Sequence, residues 1–157
     1  MKKLLAVLLI AVMVMGLAAC GGGASAGTVG ETLVADFKAD ATGTPQEIAD
    51  RLIQNEIIEF AGATMPVEPG FLTGFDNAEI TGFEEGVMFA PMMGTIPFVG
   101  YVFELEEGAD IDAFKQTLET SANLRWNICT EAEELIVDNV ENKVFFLMSP
   151  KSFEEAE

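Results

Sequence analysis

Two stretches in the body of this chain leave no side for water: Phe98 to Phe103 and Val144 to Met148. Short runs of this kind, rich in Phe and Val, read as strands in the interior of a sheet, buried on both faces. The flanking pattern supplies their neighbours. Val87 to Met93, Gly94-Thr95 and Ile96 to Leu105 fit two strands joined by a two-residue type II′ turn. Pro91 and Pro97 flank that turn and cannot donate to a ladder, so this end of the hairpin is expected at an edge or a bulge. Leu135 to Val140 and Lys143 to Ser149 form a second pair, turning at Glu141-Asn142.

Helices separate the hairpins. In Thr44-Pro45-Gln46-Glu47 a threonine cap, a proline at the first helical position and a glutamate three residues on make a capping box. Ile48, Leu52, Ile53, Ile57 and Phe60 then share one face, which predicts a helix over 45–61. Asp110 caps a second helix over 110–125, with Ile111, Phe114, Leu118 and Ala122 as its inner stripe. Residues 62–78 contain Pro66, Pro69, Gly70 and Gly74 and read as loop. The expected fold class is therefore α+β: an antiparallel sheet of about four strands with two helices packed on one face. Twelve phenylalanines can fill its core without a disulfide framework.

Residues 1–30 belong to a different regime. Met1-Lys2-Lys3 is a short basic start, and Leu4 to Met15 is an unbroken apolar run, too short for a comfortable membrane span of ~20 residues. The segment ends in Leu17-Ala18-Ala19-Cys20. This is the plan of a secretory signal peptide, and its ending resembles the lipobox of bacterial lipoproteins. That resemblance implies removal of residues 1–19, diacylglycerol on the Cys20 thiol, and an anchored rather than spanning protein on the extracytoplasmic side of the cell envelope. Cys20 would then be the lipidation site and no redox or metal residue. Gly21-Gly22-Gly23-Ala24-Ser25-Ala26-Gly27 has nothing to bury. Residues 20–30 are expected as a flexible tether reaching roughly 17 Å for ten residues, with one domain over 31–157.

The domain also resembles uncharacterised lipoproteins of Gram-positive gut bacteria, classed as domains of unknown function. The resemblance rests on Val99-Gly100-Tyr101-Val102-Phe103-Glu104-Leu105, the helix after it, and Asn142-Lys143-Val144-Phe145-Phe146-Leu147-Met148. It implies an envelope location and no particular chemistry.

Charge and composition narrow the function classes. Eight basic side chains stand against 26 acidic ones, a net charge of −18. Such a body is repelled by nucleic-acid phosphates and by anionic headgroups, so neither is an expected direct partner. The expected partners are the membrane, through the lipid, and an envelope protein with a basic surface. Without histidine, Ser-His and Cys-His catalysis and most zinc sites are excluded.

Four features carry candidate chemistry. Met88, Met92 and Met93 cluster, and thioethers hold copper(I), but without histidine the expected role is packing, with Met92 and Met93 on opposite sheet faces. Glu84-Glu85, Glu104-Glu106-Glu107, Asp110-Asp112 and Glu131-Glu133-Glu134 are acidic clusters without the spacing of a calcium loop. A carboxylate pair among them would make the rival reading, a small hydrolase; divalent-cation or copper handling is a second rival. Cys129 lies between Ile128 and Thr130 and is expected to be buried as a small apolar residue. Phe71, Phe75 and Phe83 stand in a Gly- and Pro-rich loop that either covers the sheet's open face or presents an apolar patch to a partner. Covering is the expected role, and these three are the candidate partner-binding residues. No catalytic, cofactor-binding or metal residue is expected beyond the lipid on Cys20. The sequence reading is a non-catalytic binding domain, an accessory subunit or sensor at the envelope.

Overall fold

The computed structural model describes residues 27–153. The leader, Cys20 and most of the expected tether lie outside the described residues. Ten elements follow in order: α1 (Val29–Ala39), α2 (Pro45–Leu52), β1 (Gly62–Val67), β2 (Gly70–Phe71), β3 (Glu79–Ile80), β4 (Glu85–Pro91), β5 (Val99–Glu104), α3 (Ile111–Ser121), β6 (Glu134–Val140) and β7 (Lys143–Ser149). Five strands make one antiparallel sheet in the order β1-β4-β5-β7-β6, while β2 and β3 pair as a small ribbon.

The α+β class and the antiparallel sheet are as the pattern predicts, with five strands rather than about four. The placement of the helices differs. Along β5, Val102 joins the cluster under α1 and α2, while Val99, Tyr101 and Phe103 join the cluster under α3. Along β7, Phe145 and Leu147 face the first layer and Val144, Phe146 and Met148 the second. The helices expected to share one face, α2 and α3, therefore lie on opposite faces. The reason is in the strands: apolar side chains on both sides of β5 and β7 leave two surfaces to cover, and α2 and α3 cover one each. On one side α1 packs on β6 and β7, and α2 on β1, β4 and β5. On the other, α3 packs on β6 and β7, and the 68–83 segment covers the rest through Phe75 and Phe83.

Helix α1 falls within and just after the stretch expected as tether and domain start. Thr28 Oγ1 accepts from the Glu31 N–H while the Glu31 carboxylate accepts from the Thr28 N–H, a complete capping box. Val29, Leu33 and Phe37 give the helix its buried stripe. The Thr44–Glu47 capping box closes α2 as predicted, with Pro45 in the first turn. That helix ends at Leu52, not residue 61, because Asn55 turns the chain. Its Oδ1 accepts from the Ile57 N–H, and its Nδ2 donates to Asp36 of α1 at 3.1 Å. Ile57 and Phe60 still pack on the same cluster, without helical backbone.

Strand β1 occupies part of the expected loop. The Met92 N–H donates to the Ala61 carbonyl, so by antiparallel alternation Ala63, Met65 and Val67 face β4 and Pro66 turns its donor-less nitrogen outward. Proline is tolerated there because β1 is an edge strand. The expected two-residue turn at Gly94-Thr95 is a seven-residue loop, 92–98, since ladder pairing stops between Phe89 and Gly100. Helix α3 is capped by Asp110 as expected but stops at Ser121. Ala122 leaves helical geometry to bridge Phe75, and the Asn123 N–H donates to the Gly74 carbonyl.

Lys38 of α1 and Asp138 of β6 pair at 2.8 Å. Burial raises the Asp138 pKa, but the hydrogen bonds from Lys38 and the Asn139 N–H, with the charges of Lys38 and Lys115, outweigh it and hold the carboxyl below the usual range. A depressed carboxyl pKa adds stability above the unfolded value of about 3.9, and that stability is lost as pH falls through the folded value. Asp138→Asn is expected to cost at most about 1 kcal/mol at neutral pH, the range of a partly exposed pair. In urea titrations at successive pH values the gap from the parent should close in strong acid; a constant gap would refute the assignment. Gly100 lies opposite Phe89, and a Cβ there would fall among that ring's carbons. Gly100→Ala is expected to lower stability by about 1–3 kcal/mol, the cost of overpacking a filled core, read as a fall in the urea midpoint.

Candidate functional site

The antiparallel register gives the sheet two chemically different ends. Val67, Glu85, Glu104, Val140 and Lys143 mark one; Gly62, Pro91, Val99, Glu134 and Ser149 mark the other.

The first end is acidic. Glu85 and Glu104 are direct partners across β4 and β5, and Glu104 is the partner of Lys143 across β5 and β7. Three clusters separated in sequence, Glu84-Glu85, Glu104-Glu106-Glu107 and Asp110-Asp112, are thus collected at this end, and all but Glu104 are exposed. Like charges placed opposite each other across strands are unfavourable. Lys143, whose Nζ lies 3.9 Å from Glu104 Oε1, offsets part of this. Among the described residues, no group of three or more Cys, Asp or Glu side chains is arranged to hold a metal ion. Among the described residues, the Asp40 and Asp138 carboxyls are both held below their ordinary value. For Asp40 the cause is first the hydrogen bond from the Thr42 hydroxyl, then that from the Thr42 N–H.

The three loop phenylalanines divide. Phe75 packs on Phe146 at 4.7 Å and Tyr101 at 5.8 Å between ring centres, and Phe83 on Phe103 at 4.8 Å. These two cover the sheet, as expected of the loop. Phe71 does not: it is 71% exposed, on β2 opposite Glu79, and it is the one exposed phenylalanine of the twelve. The loop behind it is held firmly. Tyr101 donates its hydroxyl to the Thr73 carbonyl at 2.9 Å, and burial pushes that hydroxyl's pKa up despite this bond. The Asp76 N–H donates to the Ser121 carbonyl, and Asn123 Nδ2 to Asp76 Oδ1. Phe71 is thus carried on a paired ribbon, opposite Glu79.

The second end is apolar at its tip. Met92 and Met93, expected on opposite faces of a strand, both lie on the 92–98 loop, 65% and 85% exposed. Met88 remains in β4, its sulfur 3.4 Å from the Tyr101 hydroxyl. Ile128 is 98% exposed on the segment before β6. A hydrogen bond from Thr130 Oγ1 to the Thr95 carbonyl, 2.6 Å, joins the two loops. The fourth acidic cluster is at this end, but it is engaged. Glu131 accepts from Arg125 at 2.7 Å, Glu133 from the Lys151 N–H, and Glu134 from the Gly30 N–H and Ser149.

Cys129 is exposed, which corrects the expectation of burial. The apolar neighbour that suggested a core position, Ile128, faces solvent with it. The exposure of Met92, Met93 and Ile128 had no signal in hydropathy, because apolar residues in a short loop have the composition of a strand end. The lipidation candidate Cys20 lies outside the described residues. No helix among the described residues is long and apolar enough to cross a membrane. No family model matches the chain, and neither curated proteins nor solved structures give a match. The residues themselves therefore carry the functional reading.

In the Cys20→Ser chain, exposed Cys129 is expected to react with a thiol reagent without denaturant. Reaction only after unfolding would restore the buried assignment.

Proposed function

We propose that this protein is a lipid-anchored, extracytoplasmic binding domain, an accessory subunit or sensor at the cell envelope that acts without catalysis. The observation that carries the proposal is the sequence Leu17-Ala18-Ala19-Cys20, after a basic start and an apolar run, eight residues ahead of the Thr28 helix cap. A lipid on Cys20 would leave Gly21 to Gly27 as tether, three residues shorter than the sequence pattern suggests. Eight residue steps extend at most about 28 Å and average roughly 15 Å when flexible.

The binding surface fits a basic protein partner. Phe71 supplies an aromatic anchor of the kind that dominates interface energetics. Glu79, opposite Phe71 on the ribbon, and Glu68, three residues before it, are exposed and, with the net charge of −18, favour cationic partners through steering. Nucleic acid is disfavoured by the same field.

Two measurements test the proposal. Cys20→Ser should move the protein from the membrane fraction to the soluble extracytoplasmic fraction; unchanged fractionation refutes the anchor. In-cell crosslinking followed by mass spectrometry should recover a reproducible envelope partner with a basic surface. Phe71→Ser is expected to abolish that crosslink while leaving the unfolding midpoint unchanged, whereas Phe75→Ser should lower the midpoint by opening the core. Retention of the crosslink in Phe71→Ser refutes this residue as the anchor of the interface.

A further inference from the structure

Five large apolar side chains are exposed among the described residues, and three of them, Met92, Met93 and Ile128, lie at one end of the sheet. The chain also enters the fold there. The Val29 N–H donates to the Lys151 carbonyl at 2.9 Å, and the Gly30 N–H to Glu134 Oε1 at 2.6 Å, so the start of α1 is fastened beside the C-terminal end of β7 and the N-terminal end of β6. The 92–98 loop joins β4 to β5 at that end, and the segment carrying Ile128 enters β6 there. The exposed apolar tip and the entry of the tether therefore share one pole.

We infer that this pole rests on the lipid surface, with Met92, Met93 and Ile128 entering the interfacial layer. The inference rests on the proposed anchor at Cys20 and gives the anchored domain an orientation. A tether averaging roughly 15 Å keeps the pole within reach of the bilayer, where short flexible linkers give effective concentrations of order millimolar. Contacts too weak to hold a free protein then suffice to orient a held one. Charge is divided between the poles: exposed Glu59 lies beside Thr28 and Lys151 at this one. Exposed Glu84, Glu85, Glu106, Glu107, Asp110 and Asp112 are at the opposite end, where repulsion from anionic headgroups is least. Glu131, Glu133 and Glu134 at the apolar pole are turned to Arg125, to the Lys151 N–H, and to the Gly30 N–H and Ser149. The domain need not float clear of the membrane, as net charge alone suggests. In this orientation the acidic end faces outward.

Cys129, exposed next to Ile128, provides the probe position. The lipidated protein, labelled at Cys129 with an environment-sensitive fluorophore, is reconstituted into phosphatidylcholine vesicles containing a lipid with a nitroxide at interfacial depth. The control carries Cys129→Ser with Glu107→Cys, which places the same fluorophore at the acidic end. Quenching at position 129 is expected to exceed that at position 107 several-fold, and to fall to the control value in Met92→Ser/Met93→Ser/Ile128→Ser. Equal, weak quenching at both positions with the protein still floating with vesicles overturns the oriented contact and leaves the anchor standing. Failure of the protein to float with vesicles overturns the anchor and the contact together. Quenching at position 129 that survives the triple substitution overturns the assignment to these three side chains.

Discussion

Strands β5 and β7 have no face that tolerates water, and the rest of the architecture answers that constraint. Tyr101 and Phe103 stack at 5.3 Å on one side of β5, while Val102 is buried on the other. In β7, Phe145 and Phe146 point to opposite layers as consecutive residues must. A one-sided helical cover would leave a row of aromatic rings exposed, at a cost of about 1.5–3 kcal/mol for each large side chain left in water. The chain covers one side with α1 and α2. It covers the other with α3 over β6 and β7, and with a loop held by Phe75 and Phe83 over the remainder. Gly100 belongs to the same solution: the absence of a side chain there is what lets the Phe89 ring lie across β5.

What could be read from the residues followed the strength of the local signals. The centre of the sheet, the tight Glu141-Asn142 turn and the Thr44 and Asp110 caps are legible because each rests on a local pattern with one physical meaning. Helix α1 carries the same Thr-x-x-Glu signature at Thr28 and Glu31, but it follows a run of small residues and contains Gly30, so the local composition argues for tether. Tertiary structure overrides that, since Gly30 is where the backbone comes close to Glu134 and Ile136 of β6. Strand β1 is hidden by Pro66 until its edge position is known. The end of α2 depends on Asn55 reaching Asp36, a contact between residues nineteen apart that periodicity alone does not contain.

The surface was harder to read than the core, for a physical reason. Hydropathy reports how much a side chain gains by leaving water, not whether the fold lets it leave. Phe71 and Phe75 are separated by three residues and have the same chemistry. The difference is that Gly74, at φ +96°, and the hydrogen bonds behind it turn Phe75 inward, while the β2–β3 ribbon holds Phe71 outward. Met92, Met93 and Ile128 are exposed for a related reason: a loop that no longer pairs has no sheet face to assign them to.

The acidic residues gain their meaning from register rather than from sequence clusters. Glu85 and Glu104 become neighbours only because β4 and β5 pair as they do, and their repulsion is tolerated at a strand end where water and Lys143 screen it. A domain indifferent to orientation has no evident reason to concentrate this unfavourable charge at one end while exposed methionines and an isoleucine gather at the other. The start of α1 is fixed at the apolar end by two backbone donors, to Lys151 and Glu134, so a tether entering at Thr28 cannot reach the acidic end first. Polarity of surface and polarity of chain entry coincide, and that coincidence makes the two ends of the sheet functionally distinct under the proposed anchor: one turned to lipid, the other outward.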